Sequence, residues 1–124
     1  MTIQSLNHVT IRSRDLETTR NFYVDIVGLR DGERPPFGFP GYWLYAGAAP
    51  VLHLIGSRGS TATGSGAVDH VAFAYEAEDY DRVVAALAAH GFDCARQTVP
   101  THGSRQLFIE DPDGVCVELN FPAA

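Results

Sequence analysis

The chain contains the stretch Leu6-Asn7-His8-Val9-Thr10-Ile11 and, in its second half, a close copy of it, Val68-Asp69-His70-Val71-Ala72-Phe73. Each copy places a histidine at the same position of an apolar segment. The repeat indicates that one structural unit occurs twice in the chain. Because the histidine is repeated with it, His8 and His70 are candidate ligands of a metal ion.

The ends of the two halves also match each other. The first half closes with Val51-Leu52-His53-Leu54-Ile55 and the second with Cys116-Val117-Glu118-Leu119-Asn120. His53 and Glu118 hold the same position in these segments. Four potential ligands therefore fall on two equivalent pairs of strand positions.

The domain organisation follows from the duplication. A unit of about 60 residues buries little apolar surface alone, whereas two such units packed together make one ordinary small domain. We therefore predict a single domain, residues 1–124, made of a first module at about 1–57, a linker at 58–66 and a second module at about 67–122. The linker is predicted from its polar, glycine-rich composition.

Composition excludes several classes of protein. The 124 residues are 45% hydrophobic and 19% charged, which is typical of a globular protein with a core. The net charge of -6, without a single lysine, argues against nucleic acid as a partner. Since no apolar run approaches the roughly 18 residues that span a bilayer, we expect no membrane partner and a cytoplasmic location. Cys94 and Cys116 form no CxxC pair and are expected to be buried small side chains.

The first module is predicted to run strand, helix, short strand and hairpin. Its strand covers residues 3–12, and its helix is N-capped by Asp15 and ended by Gly28. The apolar stripe of that helix consists of Leu16, Thr19, Phe22, Tyr23, Ile26 and Val27. A loose turn at residues 46–50 connects the hairpin.

The second module repeats this order. Its strand lies near residues 67–75 and its helix begins around Asp79 and stops at Gly91. The buried face of the helix consists of Tyr80, Val83, Val84 and Leu87. The hairpin turn is residues 111–114, Asp-Pro-Asp-Gly, in which proline presets φ and glycine tolerates positive φ. Both modules therefore predict an α+β fold.

Alternation along the strands separates two faces of the predicted sheets. The face opposite the four ligands is apolar and is expected to pack against the helices; its members are Val9, Ile11, Leu52, Leu54, Val71, Phe73, Val117, Leu119 and Phe121. The ligand face mixes small and polar groups, which is typical of the lining of a site; it carries Thr10, Arg12, Ile55, Ala72, Ala74, Cys116 and Asn120.

The candidate ligand set is chemically coherent. Imidazole nitrogens and a carboxylate oxygen suit zinc, nickel, cobalt, iron or manganese. His8, His70 and Glu118 alone also match the two-histidine, one-carboxylate arrangement of iron oxygenases. The two remaining histidines fit less well, because His90 is placed at a helix end and His102 in a loop.

Several further residues are candidates for contact with a substrate. Trp43 shares one strand face with Tyr45, where the pair serves either core packing or a pocket wall. Gln106 and Phe108 share a face of the strand before Glu118. Residues 34–41 hold two phenylalanines among prolines and glycines, which is compatible with an apolar flap over a pocket or with a loop docked on the core.

The whole chain resembles the vicinal oxygen chelate superfamily, which includes glyoxalase I, extradiol dioxygenases and bleomycin-binding proteins. The resemblance rests on the Asn-His-Val-Thr-Ile opening, on Phe22-Tyr23 and Gly28-Leu29, and on the Asp-Pro-Asp-Gly turn before Glu118. It implies two tandem βαβββ modules that form curved mixed sheets around a metal site.

The resemblance also implies a site and a partner. His8 and His53 of one chain would meet His70 and Glu118 of a second in a homodimer with metal sites at the subunit interface. Relatives usually carry glutamate or glutamine at the position of His53.

Family members also suggest roles for two residues beside this ligand set. Arg12 stands where glyoxalases hold the glutathione carboxylate. Phe108 stands where dioxygenases commonly use tyrosine.

Three functions are compatible with these residues. The first is a metal-dependent, glyoxalase-like lyase or isomerase acting on a small oxygen-chelating carbonyl substrate, with Glu118 moving a proton and His53 assisting. The second is an Fe(II) or Mn(II) extradiol-type dioxygenase. The third is a bleomycin-resistance-like protein that binds a planar drug without catalysis.

Overall fold

The computed structural model describes residues 1–57 and 63–124, and the chain forms two compact units, Met1–Thr61 and Ala62–Ala124. Each unit contains one strand, one helix and then three strands, so that both have the βαβββ order. The α+β fold class with tandem modules is therefore confirmed. Residues 58–62 of the predicted linker lie outside the described residues.

The elements of the first unit are β1 (Val9–Ser13), α1 (Leu16–Asn21) with a π-helical continuation (Phe22–Val27), β2 (Arg30–Gly32), β3 (Gly41–Ala46) and β4 (Ala49–Gly56). Those of the second are β5 (Val71–Ala74), a 3-10 turn (Ala77–Asp79), α2 (Tyr80–Ala89), β6 (Ala95–Thr98), β7 (Arg105–Glu110) and β8 (Cys116–Phe121). No helix in the described parts of the chain is long and apolar enough to cross a membrane.

The two four-stranded sheets have the same topology. Their strand orders are β1-β4-β3-β2 and β5-β8-β7-β6, and in each sheet only the first pair is parallel. The register also repeats: Thr10 pairs with His53 in the first sheet as Ala72 pairs with Glu118 in the second. The predicted apolar face forms core at six of its nine positions, Ile11, Leu52, Leu54, Val117, Leu119 and Phe121. Its other three members, Val9, Val71 and Phe73, are only half-buried.

The first helix begins and ends where the sequence predicts. The Asp15 side chain accepts a hydrogen bond from the Thr18 backbone N–H at 3.2 Å. Gly28 adopts a left-handed φ of 98°, and its N–H donates to the Tyr23 carbonyl at 3.0 Å. That bond spans five residues and closes the π-helical turn. Of the predicted stripe, Thr19, Phe22, Tyr23 and Val27 are buried, whereas Leu16 and Ile26 are half-buried.

The predicted turn of the second hairpin is confirmed in detail. The Gly114 N–H donates to the Asp111 carbonyl at 3.0 Å, and Gly114 has a φ of 80°. The Asp111 side chain accepts from the backbone N–H groups of Asp113 and Val115 at 2.8 and 2.9 Å. This turn fixes where β8 begins and therefore the depth at which Glu118 enters the sheet.

Four boundary and burial predictions were wrong. The first strands are shorter than predicted and begin at Val9 and Val71. Upstream side chains such as Ile3 are exposed, so neither pairing nor burial extends the strand. The first hairpin turn is tight rather than loose, because Ala46 already pairs with Ala49. Both cysteines are half-buried rather than buried.

Candidate metal-binding and substrate site

The second unit brings His70 and Glu118 into contact. The His70 Nε2 lies 3.1 Å from the Glu118 Oε1, and the His70 Nδ1 lies 2.8 Å from the Asp69 Oδ2. His70 precedes β5 directly, so its side chain reaches across to the neighbouring β8. Asp69 holds the Nδ1 proton and thereby directs Nε2 to Glu118, which is the usual arrangement behind a metal-binding histidine.

Glu118 is buried, with only 5% of its surface exposed, and both of its oxygens have partners. The Asn120 Nδ2 donates to the Glu118 Oε2 at 2.8 Å, which leaves Oε1 to His70. Phe108 lies directly opposite Glu118 in the sheet and turns its ring edge toward the His70 ring, 5.8 Å between centroids. The pair is therefore oriented by an amide and by an aromatic wall.

The separation of this pair fits a shared metal ion. Bonds of about 2.0–2.2 Å from zinc to nitrogen or oxygen place two adjacent ligand atoms about 3 Å apart. The His70 and Glu118 atoms are 3.1 Å apart. A buried carboxylate beside an oriented imidazole is also a donor set that divalent transition metals accept.

The first unit presents His8 in the equivalent way. His8 directly precedes β1, and its Nδ1 donates to the Asn7 Oδ1 at 2.7 Å. Asn7 thus orients the His8 ring as Asp69 orients the His70 ring. The His8 Nε2 is left as the nitrogen that can bind a metal. His8 is exposed, so this nitrogen is accessible.

His53 differs from the other candidates. Its ring is stacked between His8, 3.8 Å away and inclined by 13°, and Trp43, 4.2 Å away and inclined by 11°. Its Nε2 donates to the Pro50 carbonyl at 3.1 Å. Because a metal bound by imidazole lies in the ring plane, two nearly parallel stacked rings do not point at one ion. His8 and His53 therefore cannot bind one ion together in this conformation. Within their own units, the pair of His70 and Glu118 and the Nε2 of His8 are compatible with metal binding, whereas the Nε2 of His53 faces the Pro50 carbonyl.

Among the described residues, the candidate metal ligands meet only in two pairs, His70 with Glu118 and His8 with His53. Within residues 1–57 and 63–124, the structure brings together no group of three His, Cys, Asp or Glu side chains that could hold a metal. Each unit thus contributes half of the predicted ligand set. The four-ligand site remains a prediction that two halves must complete.

The pKa values of His53 and His70 are shifted in opposite directions. The hydrogen bond that His70 donates to Asp69 raises the pKa of His70, and the charge of Glu118 acts in the same direction. Burial lowers the pKa of His53, and the neighbouring His8 adds to this effect. The protonated form of His53 is therefore disfavoured, and its Nε2 donates to the Pro50 carbonyl.

The remaining predicted site residues lie on the expected strands. Thr10 and Arg12 are exposed on β1, and Arg12 has no ion pair within the described residues. Gln106 pairs with Asn120 across β7 and β8. His90 bonds the Ala86 carbonyl at the end of α2, as expected of a structural residue. His102 bonds Ser104 within its loop.

Sequence reasoning missed Arg34, which lies on a cleft of about 390 Å³ within the first unit. The cleft is lined by Glu33, Arg34, Pro35, Pro36, Trp43 and Tyr45. Arg34 belongs to the segment 34–41, for which the sequence predicted a role for the two phenylalanines and none for the arginine. The signal was its position among aromatic residues, which is the usual environment of a stacked guanidinium.

A second cleft, of about 430 Å³, lies on the ligand face of the second unit. Its lining consists of Phe92, Asp93, Ala95, Phe108, Ile109, Glu110 and Cys116. Phe108 thus connects this cleft with the His70 and Glu118 pair.

Known proteins resemble this chain in sequence and in fold. Glyoxylase I 4 of Arabidopsis thaliana is 29% identical over 124 residues, which cover 94% of this chain and 70% of that protein. The solved structure of a glyoxalase/dioxygenase from Nostoc punctiforme has a TM-score of 0.82 at 21% identity, covering 98% of this chain and 92% of the other. TnmS3, an antibiotic binding protein from Streptomyces sp. CB03234, has a TM-score of 0.74 at 24% identity, with 99% of each chain covered.

The family can be stated from a match over nearly the whole chain. The model of the Glyoxalase/Bleomycin resistance protein/Dioxygenase superfamily matches residues 5–119, which include all four candidate ligands. The two solved structures support the fold alone, because they are only 21% and 24% identical to this chain. Since the matched range includes both βαβββ units except the last two residues of β8, the chain belongs to the Glyoxalase/Bleomycin resistance protein/Dioxygenase superfamily.

Proposed function

We propose that this protein is a metal-dependent, glyoxalase-like lyase or isomerase that acts on a small carbonyl substrate able to chelate through oxygen. The supporting observation is the oriented pair of His70 and Glu118, 3.1 Å apart and held by Asp69 and Asn120. His70 and Glu118 of one chain and His8 of a second would hold the metal in a homodimer. When bound, the metal would supply a Lewis acid for the substrate oxygen.

The residues of the chain then have distinct tasks. The chelating substrate would free the Glu118 Oε1 from the metal. This oxygen then takes a proton from the carbon next to the substrate carbonyl and returns it to a neighbouring position. Asn120 keeps the Oε2 in place during this exchange. Phe108 and Trp43 exclude water, and His53 supports one face of the Trp43 ring. Thr10, Arg12 and Gln106 contact the substrate from the ligand face.

Metal analysis of protein purified without added metal or chelator tests the site. We expect about one nickel, zinc, cobalt, iron or manganese ion per chain. His8→Ala, His70→Ala and Glu118→Ala lose it, because each removes a ligand. His53→Ala retains it, because that ring faces its neighbours rather than an ion. His90→Ala, a histidine at a helix end, is the matched control. Protein that takes up none of these metals even after supplementation contradicts the proposal.

Incorporation of solvent deuterium tests the chemistry. Proton transfer by Glu118 should label the carbon next to the carbonyl in a panel of small hydroxyketones and ketoaldehydes, followed by NMR in deuterium oxide. Glu118→Gln should lower labelling by about 100-fold or more, in the range typical of a general base. Labelling equal to that of the wild type in Glu118→Gln would assign the proton transfer elsewhere.

The second candidate is an Fe(II) or Mn(II) dioxygenase. The stacked position of His53 favours it, because the remaining set of His8, His70 and Glu118 has the composition used by non-haem iron oxygenases. Iron or manganese in the purified protein together with oxygen consumption on catechols selects this reaction. Nickel, zinc or cobalt without oxygen consumption selects isomerisation. Drug binding without catalysis, as the name of TnmS3 suggests for that protein, is the outcome if no metal binds.

A further inference from the structure

The guanidinium of Arg34 is held in place by its own unit. It lies 5.0 Å from the ring centroids of both Phe37 and Phe39, and its Nη1 donates to the Phe39 carbonyl at 3.1 Å. A Cβ atom at Gly41 would lie 2.9 Å from the Nη2, so the missing side chain at this position makes room for the guanidinium. Arg34 is therefore oriented before any ligand arrives, which lowers the entropic cost of binding.

No carboxylate in the described parts of the chain forms an ion pair with Arg34. Arg20 and Arg82 form ion pairs with Asp31 and Asp79, but Arg34 has no ion pair within residues 1–57 and 63–124. Its Nε is buried and has no hydrogen-bond acceptor in that part of the chain. A planar guanidinium with unused donors is the usual recognition element for a carboxylate.

The surroundings strengthen the positive side of the cleft. Arg30 lies 4.9 Å from the Tyr45 ring centroid, bonds the Gly47 carbonyl at 3.3 Å and likewise lacks an ion pair among the described residues. Glu33 opposes these charges from the same lining, but it is exposed, and its backbone carbonyl is the group that binds the Tyr45 hydroxyl at 2.6 Å. The cleft is therefore lined by one arginine and one solvated carboxylate, and Arg30 adds a second positive charge beside it, over the Tyr45 ring.

An aromatic wall stands beside this charge. Trp43 lines the cleft, and one face of its ring is supported by His53 at 4.2 Å. Phe37 lies 6.0 Å from Trp43 and 48% of its surface is exposed. Flat apolar surface next to an oriented cation selects molecules that have both a ring system and a negative group.

We propose that this cleft binds a small molecule that combines a flat unsaturated ring with a carboxylate, the carboxylate on Arg34 and the ring on Trp43. As a substrate class this inference rests on the proposed function, because the His53 ring connects Trp43 with His8. The binding itself needs no metal. It assigns anion recognition to Arg34, in addition to the expected contact of Arg12.

Titration of 2-naphthoate into chelator-treated protein tests the inference. Trp43 is the single tryptophan, so its fluorescence reports occupation of the cleft, and calorimetry checks the affinity independently. We expect Arg34→Gln to weaken binding at least about tenfold, since it removes charge-assisted hydrogen bonds. Glu33→Gln tightens binding by removing repulsion. Arg96→Gln, which changes an exposed arginine of β6, leaves it unchanged.

The neutral probe 2-naphthol separates charge from stacking. 2-Naphthol should bind to the wild type more weakly than 2-naphthoate does. Its affinity for Arg34→Gln should equal its affinity for the wild type. Arg34→Lys is a second variant in case the glutamine variant fails to fold. It keeps the positive charge and loses the planar guanidinium, so we expect its loss of 2-naphthoate affinity to be smaller than that of Arg34→Gln. Absence of 2-naphthoate binding, or binding unaffected by Arg34→Gln and Arg34→Lys, overturns the inference. If metal-loaded protein still incorporates deuterium into its substrates in that case, the proposed function stands and only this inference fails.

Discussion

At the scale of single residues, the two histidines that directly precede β1 and β5 are oriented by the residue before them. Asn7 and Asp69 each accept the Nδ1 proton, at 2.7 and 2.8 Å, so that Nε2 is the nitrogen available to a metal. One partner is a neutral amide and the other a carboxylate. The carboxylate should make His70 the more basic ligand of the two.

Removal of these partners should weaken metal binding without removing a ligand. Asp69→Ala is expected to lower metal affinity about 10–100-fold, and Asn7→Ala by less, since an amide supports the ring through a weaker bond. Competition with a chromophoric chelator measures the change. Asp81→Ala, which alters an exposed carboxylate on α2, is the control for net charge. Equal affinities in Asp69→Ala and Asp81→Ala would remove Asp69 from the site.

At the scale of elements, the end of the first helix depends on one backbone conformation. Gly28 has a φ of 98°, and nothing lies within 4 Å of the place where a Cβ would be. The cost of a side chain there is therefore conformational and not steric. The turn positions Leu29, which is buried, and the start of β2.

Gly28→Ala should destabilise the protein by about 1 kcal/mol, because a left-handed φ is unfavourable for alanine. Gly56→Ala is the matched control: a Cβ there also meets nothing within 4 Å, and its φ is not positive. Urea unfolding followed by circular dichroism measures both variants. A Gly28→Ala variant as stable as Gly56→Ala contradicts the argument.

At the scale of the whole molecule, the two units repeat one register and divide the candidate ligands between them. His53 has Trp43 opposite it in the first sheet, and Glu118 has Phe108 opposite it in the second. Each unit orients its own pair, and no described cluster has three donors. A site that takes His70 and Glu118 from one chain and His8 from a second would require a homodimer.

Mixing two inactive variants tests this arrangement. His8→Ala and Glu118→Ala each damage both sites of their own homodimer. In a mixed dimer, one site has lost both residues and the other is intact, so we expect about one bound metal per mixed dimer after subunit exchange. Sedimentation analysis of the wild type verifies the dimer, and each variant mixed with itself is the control. Failure of dimeric mixtures to regain metal would place all ligands within one chain.

The sequence by itself determined the duplicated βαβββ order, the core face, the helix cap at Asp15, the stop at Gly28 and the turn before β8. These features depend on neighbours a few residues apart or on alternation along a strand, which local chemistry decides. Only the tertiary structure decided that His53 stacks on His8 and Trp43, and that Asn120 holds Glu118. It also decided that Arg34 lies on a cleft and forms no ion pair with a carboxylate among the described residues. Such side-chain geometry depends on strand register and loop packing, because residues distant in sequence meet only once the sheets have formed.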